Sequence, residues 1–214
     1  MDRRRALLAC SIGFVALYAV AILVQGTPPK PNDTGDAVVA WMTQHHNAVR
    51  AASWFATMAT PLFVMFAVYL REVLGGVAGR ALMVGVTATA VLTVTQSWIT
   101  LGLARRPQSL DPAIARTLLD VAAYWGPSLI AFTVLTLGAI AWSSLRDGKL
   151  PRWLGILAAI TLVEQLVESV TLFGTSGFIA PGGPMNALLG AGLTLIVWLL
   201  AGILGSRQTE QTAA

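Results

Sequence analysis

Residues 6–24 read ALLACSIGFVALYAVAILV, about 19 consecutive residues without a charge. At about 1.5 Å per residue, a helix of that length covers roughly the 30 Å hydrocarbon core of a bilayer. Arg3, Arg4 and Arg5 stand immediately before it. Residues 7–10, LLAC, resemble a lipoprotein cleavage box, but only Ala6 separates that box from the arginines, so no apolar signal region precedes Cys10. Ala19 and Ala21 mimic a signal-peptidase site after an arginine-rich start. The run is nonetheless long for a signal and right for a span, so it reads as an uncleaved first helix.

Outward from this segment, five more apolar runs follow, at roughly 49–70, 81–104, 114–142, 152–173 and 185–205. Backbone groups inside a bilayer must be satisfied within the segment, so these runs read as helices. The alternating ten-residue segments of a barrel are missing. Six spans use most of the 214 residues and leave no length for a soluble domain, so residues 1–214 read as one domain. Composition agrees: 56% of residues are hydrophobic, 11% are charged, and mean hydropathy is +0.70. Soluble domains carry about 25% charged residues. The fold class expected is therefore all-α, a polytopic membrane protein built as a bundle of six transmembrane helices. Net charge is +4 and the isoelectric point is about 9.8. The basic residues are scattered at span ends and form no basic face with interleaved aromatics, which argues against nucleic acid as a partner. Cys10 is the one cysteine, which excludes an intramolecular disulfide and a thiolate metal cluster.

Lysine and arginine set the orientation. With the N-terminus inside, the inner set is Arg3, Arg4, Arg5, Arg71, Arg80, Arg146, Lys149, Arg152 and Arg207, and the outer set is Lys30, Arg50, Arg105, Arg106 and Arg116. The bias favours both termini in the cytoplasm, N-in and C-in. Arg105, Arg106 and Arg116 fall in one outer loop against that trend. In the first outer connection, Pro28, Pro29 and Pro31 predict an extended start. Asp33, Thr34 and Asp36 then offer N-caps for a helix beginning near Asp36 and running into span two. The last outer connection, GTSGFIAPGGP at 174–184, is uncharged and reads as a tight, irregular turn. The inner connections, Arg71–Arg80 and Arg146–Arg152, are short and imply antiparallel neighbours. Pro61 and Pro127 lie inside spans and are candidate kinks. No similarity between the two halves marks an internal repeat.

The polar residues within the spans are the informative ones. Span five reads PRWLGILAAITLVEQLVESVTLFG at 151–174. It sets Glu164 near the bilayer centre and Glu168 one turn further out. A central acidic residue costs about 2.5–3.5 kcal/mol on insertion scales. Two carboxylates at i and i+4 share a face and repel, so they must be paired, protonated, hydrated or bound to something. Thr161, Gln165, Thr171 and Thr175 extend their strip. Matching strips are Thr89, Thr93, Gln96 and Thr100 in span three, and Thr117, Asp120, Tyr124 and Ser128 in span four. Spans two and one carry His46, Arg50, Ser53, Thr57 and Thr60, and Ser11, Tyr18 and Gln25. Each spacing puts its set on one helix face, and lipid would turn all of these faces inward. Span six differs: Ala187, Gly190, Ala191, Thr194, Ala201, Gly202 and Gly205 form a small-residue face suited to close helix packing.

Two accounts of the acidic pair stand side by side. In one, Glu164, Glu168, Asp120, Gln96 and Tyr124 shape an outward-facing pocket for a proton or a small cationic or amphipathic ligand. In the other, Arg105, Arg106, Arg116 and Arg50 serve as counter-charges in a structural ion-pair network, and a membrane protein partner docks through helix 185–205. Metal ligation is not favoured: His45 and His46 are adjacent, so they diverge by about 100° on a helix, and no metal-ligand spacing includes them. Trp41, Trp54, Trp98, Trp142 and Trp153 lie near span ends, as in an aromatic belt. No nucleophile–base pair or phosphate loop is present, so no catalytic residue, metal or cofactor is assigned and an enzyme is the least favoured class.

Residues 147–155, DGKLPRWLG, and 174–186, GTSGFIAPGGPMN, together with six spans, give the chain a likeness to other sequences. It resembles a group of actinobacterial multi-pass membrane proteins of unknown function. The resemblance covers most of the chain, with its best motifs in turns of the second half. It implies six helices in a bacterial inner (plasma) membrane and transfers no site residue.

Overall fold

The computed structural model describes residues 2–30, 32–174, 177–179, 183 and 185–211. Pro31, Thr175, most of the 174–184 connection and the side chain of Ala187 lie outside the described residues. All regular structure in the described residues is helical. The helices are α1 (Arg3–Gln25), α2 (Gly35–Leu74), α3 (Gly76–Arg105), α4 (Pro112–Ala123), α5 (Trp125–Leu145), α6 (Arg152–Glu168) and α7 (Ala191–Gln211). A 3₁₀ segment, Ser169–Phe173, prolongs α6, and a π-helical segment, Met185–Gly190, leads into α7. Six of the resulting rods are long and apolar enough to cross a membrane, α4 and α5 together forming one of them.

Local chemistry sets the helix ends. Asp2 caps α1 by accepting from the Arg4 amide at 3.2 Å. Of the three cap candidates before α2, Thr34 is used: its hydroxyl accepts from the Ala37 amide at 3.3 Å. Asp33 instead closes the preceding turn onto the Lys30 amide at 2.7 Å. Asp111 accepts from the amides of Ala113 and Ile114, with Pro112 in the first helical position where its missing N–H costs nothing. The connection expected over Arg71–Arg80 shrinks to Gly75 alone. Its φ of 66° reverses the chain between α2 and α3 at a conformation only glycine adopts without strain.

α2 packs on α1 and α3, α3 on α5, and α5 on α6, while α7 returns against α1 and α6. The rods thus form a ring around a core led by Phe14, Phe63, Phe66 and Trp198, whose ring centroids lie 4.5–6.1 Å apart. Outward, the bundle presents Leu23, Val77, Trp98, Ile160 and Phe173. Such a surface, apolar on the outside, is what a lipid-facing protein needs and an aqueous one avoids.

Two regions depart from the sequence expectation. α2 has 40 residues and is about 60 Å long, twice the thickness of a hydrocarbon core. Its N-terminal half packs Val38, Met42 and Val49 against Leu103, Ala104, Ala115 and Leu119, a second small core at one end of the bundle. The run 114–142, expected as one span, breaks at Tyr124 into α4 and α5. Pro127 lacks the N–H that would bond the carbonyl of residue 123, and its ring would collide there. On α4, Ala115, Leu119 and Ala122 are buried, while Thr117, Tyr124 and Ser128 of the expected inward strip are exposed. Pro61, by contrast, is accommodated within continuous α2.

Candidate functional site

Most threonines of the long apolar helices satisfy themselves. The hydroxyls of Thr57, Thr60, Thr93, Thr133 and Thr161 each donate to the carbonyl four residues back. The inward strips of the first three rods meet at two points: Tyr18 donates to Thr93 at 2.8 Å, and Ser53 and Thr100 hydroxyls lie 3.0 Å apart. These contacts tie helices together and leave no charge to balance.

The end of α6 is different. Thr161, Gln165, Glu168 and Thr171 are all buried, with Glu168 only 2% exposed. The Gln165 side-chain amide bridges the two carboxylates, donating to Glu164 Oε2 at 3.1 Å and to Glu168 Oε2 at 2.5 Å. A primary amide has two hydrogens, one for each carboxyl group. The other oxygen of Glu168 accepts from the Asn186 side-chain amide, in the π-helical segment before α7. Two glycines make room for this constellation. A Cβ on Gly190 would lie 1.8 Å from Glu168 Oε2, and one on Gly126 would lie 2.5 Å from Asn186 Oδ1. Glu168 is therefore held between the end of α6 and the irregular entry to α7, with Gly126 of α5 lying against Asn186.

The cluster's polar requirements are incompletely met among the described residues. Glu164 Oε1 is buried without a hydrogen-bond partner. The same holds for Trp125 Nε1, Thr171 Oγ1 and Thr194 Oγ1. Trp125 adjoins Gly126, Thr171 lies one turn beyond Glu168, and Thr194 lies one turn beyond Gly190. Amide donors satisfy lone pairs but supply no positive charge.

The other residues expected at the site lie elsewhere. Gln96 is on α3, which α5 separates from α6. Asp120 pairs with Arg116 on α4, and Arg116 also donates to the Lys30 carbonyl at 3.0 Å. Tyr124 is exposed at the α4–α5 break. Among the described residues neither Glu164 nor Glu168 has an ion pair with an arginine. Arg50, Arg105 and Arg106 are exposed at the end of the bundle where α2 extends. His45 stacks on Trp41 and bonds its carbonyl, and His46 bonds the carbonyl of Thr43, so both rings are engaged within α2.

The small face of the last rod is occupied within the chain. A Cβ on Gly202 would lie 1.8 Å from Ser11 Oγ, and one on Gly205 would lie 2.9 Å from Leu70 Cδ1. Ala201 and Thr194 are buried.

Sequence reasoning took Gln165 as part of a strip and missed Asn186 as a partner of Glu168 and Gly126 as a neighbour of Asn186. It read Gly190 as packing alone. The available signal for Asn186 was a lone amide at the start of an apolar run. No family model matches the chain, and no curated protein or solved structure matches it.

Proposed function

We propose that this is a multi-pass bacterial inner-membrane protein, with both termini in the cytoplasm, that binds a proton or a small cation at Glu168 in a transport-like role. The nine-to-five bias of basic residues supports the orientation, and the turn motifs resembling actinobacterial membrane proteins support the location. One observation carries the site: a carboxylate that is 2% exposed, gripped by two amides, with no cation beside it among the described residues. Burying a carboxylate without a counter-charge is strongly unfavourable, and a proton or cation at Glu168 removes that cost. Glu164, with one buried oxygen unpartnered, supplies a second ligand atom. Irregular helix ends at membrane depth are typical of places where transporters hold ions and substrates. The 3₁₀ and π segments flanking Glu168 are of that kind.

The test uses purified protein in detergent. Thermal stability is followed against lithium, sodium, potassium, guanidinium and tetramethylammonium chlorides. Infrared spectra are compared for wild type and Glu168→Gln. A bound cation at 100 times its Kd stabilises by about 2.7 kcal/mol, so one salt raises the wild-type midpoint and leaves Glu168→Gln unmoved. If the occupant is a proton, a carboxylic-acid carbonyl band is present in wild type and lost in Glu168→Gln. Absence of both signals refutes the reading.

A further inference from the structure

The arginines that run against the orientation bias have a physical address. Residues 51–70 form a 20-residue uncharged stretch between Arg50 and Arg71. In a helix that length is about 30 Å, so Arg50 and Arg71 mark the two edges of the hydrocarbon. Arg105, which ends α3, lies at the same edge as Arg50, since α2 and α3 are antiparallel around Gly75. At that edge a recess of about 540 Å³ is lined by Asn47, Arg50, Ala51, Trp54, Thr57 and Leu101. A second, of about 310 Å³, is lined by Gly102, Arg105, Arg106, Ser109 and Leu110. Leu101 of the first recess and Arg105 of the second are one turn apart on the same face of α3, so both recesses lie along the last turns of that helix.

Neither recess has an acidic residue in its wall. Among the described residues the side chains of Arg50, Arg105 and Arg106 make no hydrogen bond or ion pair, although all three are exposed. This contrasts with Arg116, which is committed to Asp120 and the Lys30 carbonyl. The Arg50 recess is also graded with depth. Arg50 sits at the edge, and Trp54 and Thr57 lie one and two turns deeper on the same face of α2, about 6 and 10 Å into the hydrocarbon. Trp54 is 56% exposed. A ligand that fits is anionic at one end and apolar at the other, with the two ends a few ångströms apart.

We propose that these paired recesses form a binding site for an anionic phospholipid. The phosphodiester lies against Arg50, with Arg105 and Arg106 adding positive potential, and an acyl chain runs down past Trp54 and Leu101. Guanidinium groups suit phosphate oxygens because their planar donors match them in pairs. Basic pockets between membrane helices hold anionic headgroups for that reason. The proposal rests on membrane insertion but not on the Glu168 reading, and its test does not involve that residue.

Protein is reconstituted into phosphatidylcholine vesicles doped with brominated phosphatidylglycerol or, separately, brominated phosphatidylcholine, and tryptophan quenching is recorded. The anionic lipid quenches wild type more strongly than the neutral one. Trp54→Phe removes most of that excess. Arg50→Gln, and Arg105→Gln with Arg106→Gln, each weaken the preference about fivefold per arginine. These arginines hold nothing else in the fold, so the variants keep their far-ultraviolet spectra. Equal quenching by both lipids in wild type overturns the proposal, as does an excess that survives Arg50→Gln. Displacement of the excess by soluble glycerol phosphate also overturns it, because the ligand is then free phosphate rather than lipid.

Discussion

Gly190→Ala tests how tightly the Glu168 carboxylate is seated. The new Cβ would fall 1.8 Å from Glu168 Oε2, 2.5 Å from Glu168 Cδ and 2.8 Å from Gln165 Nε2. Ordinary contact begins at 3.4 Å, so the carboxylate must retreat by about 1.6 Å. The bond from Gln165 is 2.5 Å long and cannot stretch that far and remain a hydrogen bond. Rotation of Glu168 to escape also pulls its other oxygen away from Asn186. Hydrogen bonds to charged groups contribute about 1.5–3 kcal/mol each. Alanine returns about 0.5–1 kcal/mol of backbone entropy. Losing one bond outright and weakening the other leaves a net destabilisation on the order of 2–4 kcal/mol. Gly192→Ala, two residues along, is the control: its Cβ meets nothing within 4 Å, so that variant gains up to about 1 kcal/mol. Unfolding in mixed micelles measures both. A double-mutant cycle with Glu168→Ala then isolates the contact, because removing the carboxyl vacates the space the methyl needs. The reasoning fails if Gly190→Ala lies within about 0.5 kcal/mol of Gly192→Ala, the scatter expected for independent surface changes. It fails equally if the cycle shows no coupling.

Glu168→Gln and Glu164→Gln should match or exceed wild-type stability in the same assay, because neither charge balances an arginine among the described residues. A loss of 3–5 kcal/mol, the size of a broken buried ion pair, would show that an arginine does reach them. Gly202→Ala should destabilise, since its Cβ falls 1.8 Å from Ser11 Oγ, and Ser11→Gly should restore it; the double variant being no better than the single would contradict the packing. Arg116→Gln should cost about 1 kcal/mol, freeing Asp120 and the Lys30 carbonyl near the surface, with thermal unfolding as the check. For orientation, cysteines placed at Ser109 and Asp147 in a Cys10→Ala background should differ towards an impermeant maleimide. Ser109 should label in intact cells and Asp147 only after permeabilisation, and the reverse pattern would invert the topology.

What the sequence made legible follows from where lipid and water constrain it. Long uncharged runs have one stable form in hydrocarbon, so six membrane-length helices could be read from their lengths. Before α2 the sequence narrowed the cap to Asp33, Thr34 or Asp36, and Thr34 is the one used. The break at Tyr124 was legible only as a candidate kink at Pro127, because hydropathy marks 114–142 as one run while Pro127 acts through a single missing donor. The outward turn of Thr117, Tyr124 and Ser128 was not legible: their spacing gives a shared face, but the direction of that face depends on α4 docking against the extra length of α2. Glu168 could be flagged because a carboxylate in an apolar run is costly. Its partner across the bundle could not, since Gln165 is local but Asn186 comes from another element and carries no charge to mark it.

The glycines at 190 and 126 connect these two levels. Small residues in membrane helices usually permit close approach, and Gly202 and Gly205 admit Ser11 Oγ of α1 and Leu70 Cδ1 of α2. Gly190 and Gly126 admit polar atoms of the cluster around Glu168, namely Glu168 Oε2 and Asn186 Oδ1. Both occur where regular α-helix gives way, at the π-helical entry to α7 and beside the break before α5. Departures from local regularity in an otherwise consistent fold concentrate where function sets the geometry. Close packing alone would be served by an alanine or a serine with a small backbone shift. Seating a carboxylate this deeply leaves no such latitude, because any added atom competes with the oxygen itself. A purely structural role would also be met by a neutral residue at 168, without the burial of charge. If Glu168 exchanges a proton or cation as proposed, an acid at 168 with glycines at 190 and 126 beside its hydrogen-bonded cluster is the arrangement that exchange requires.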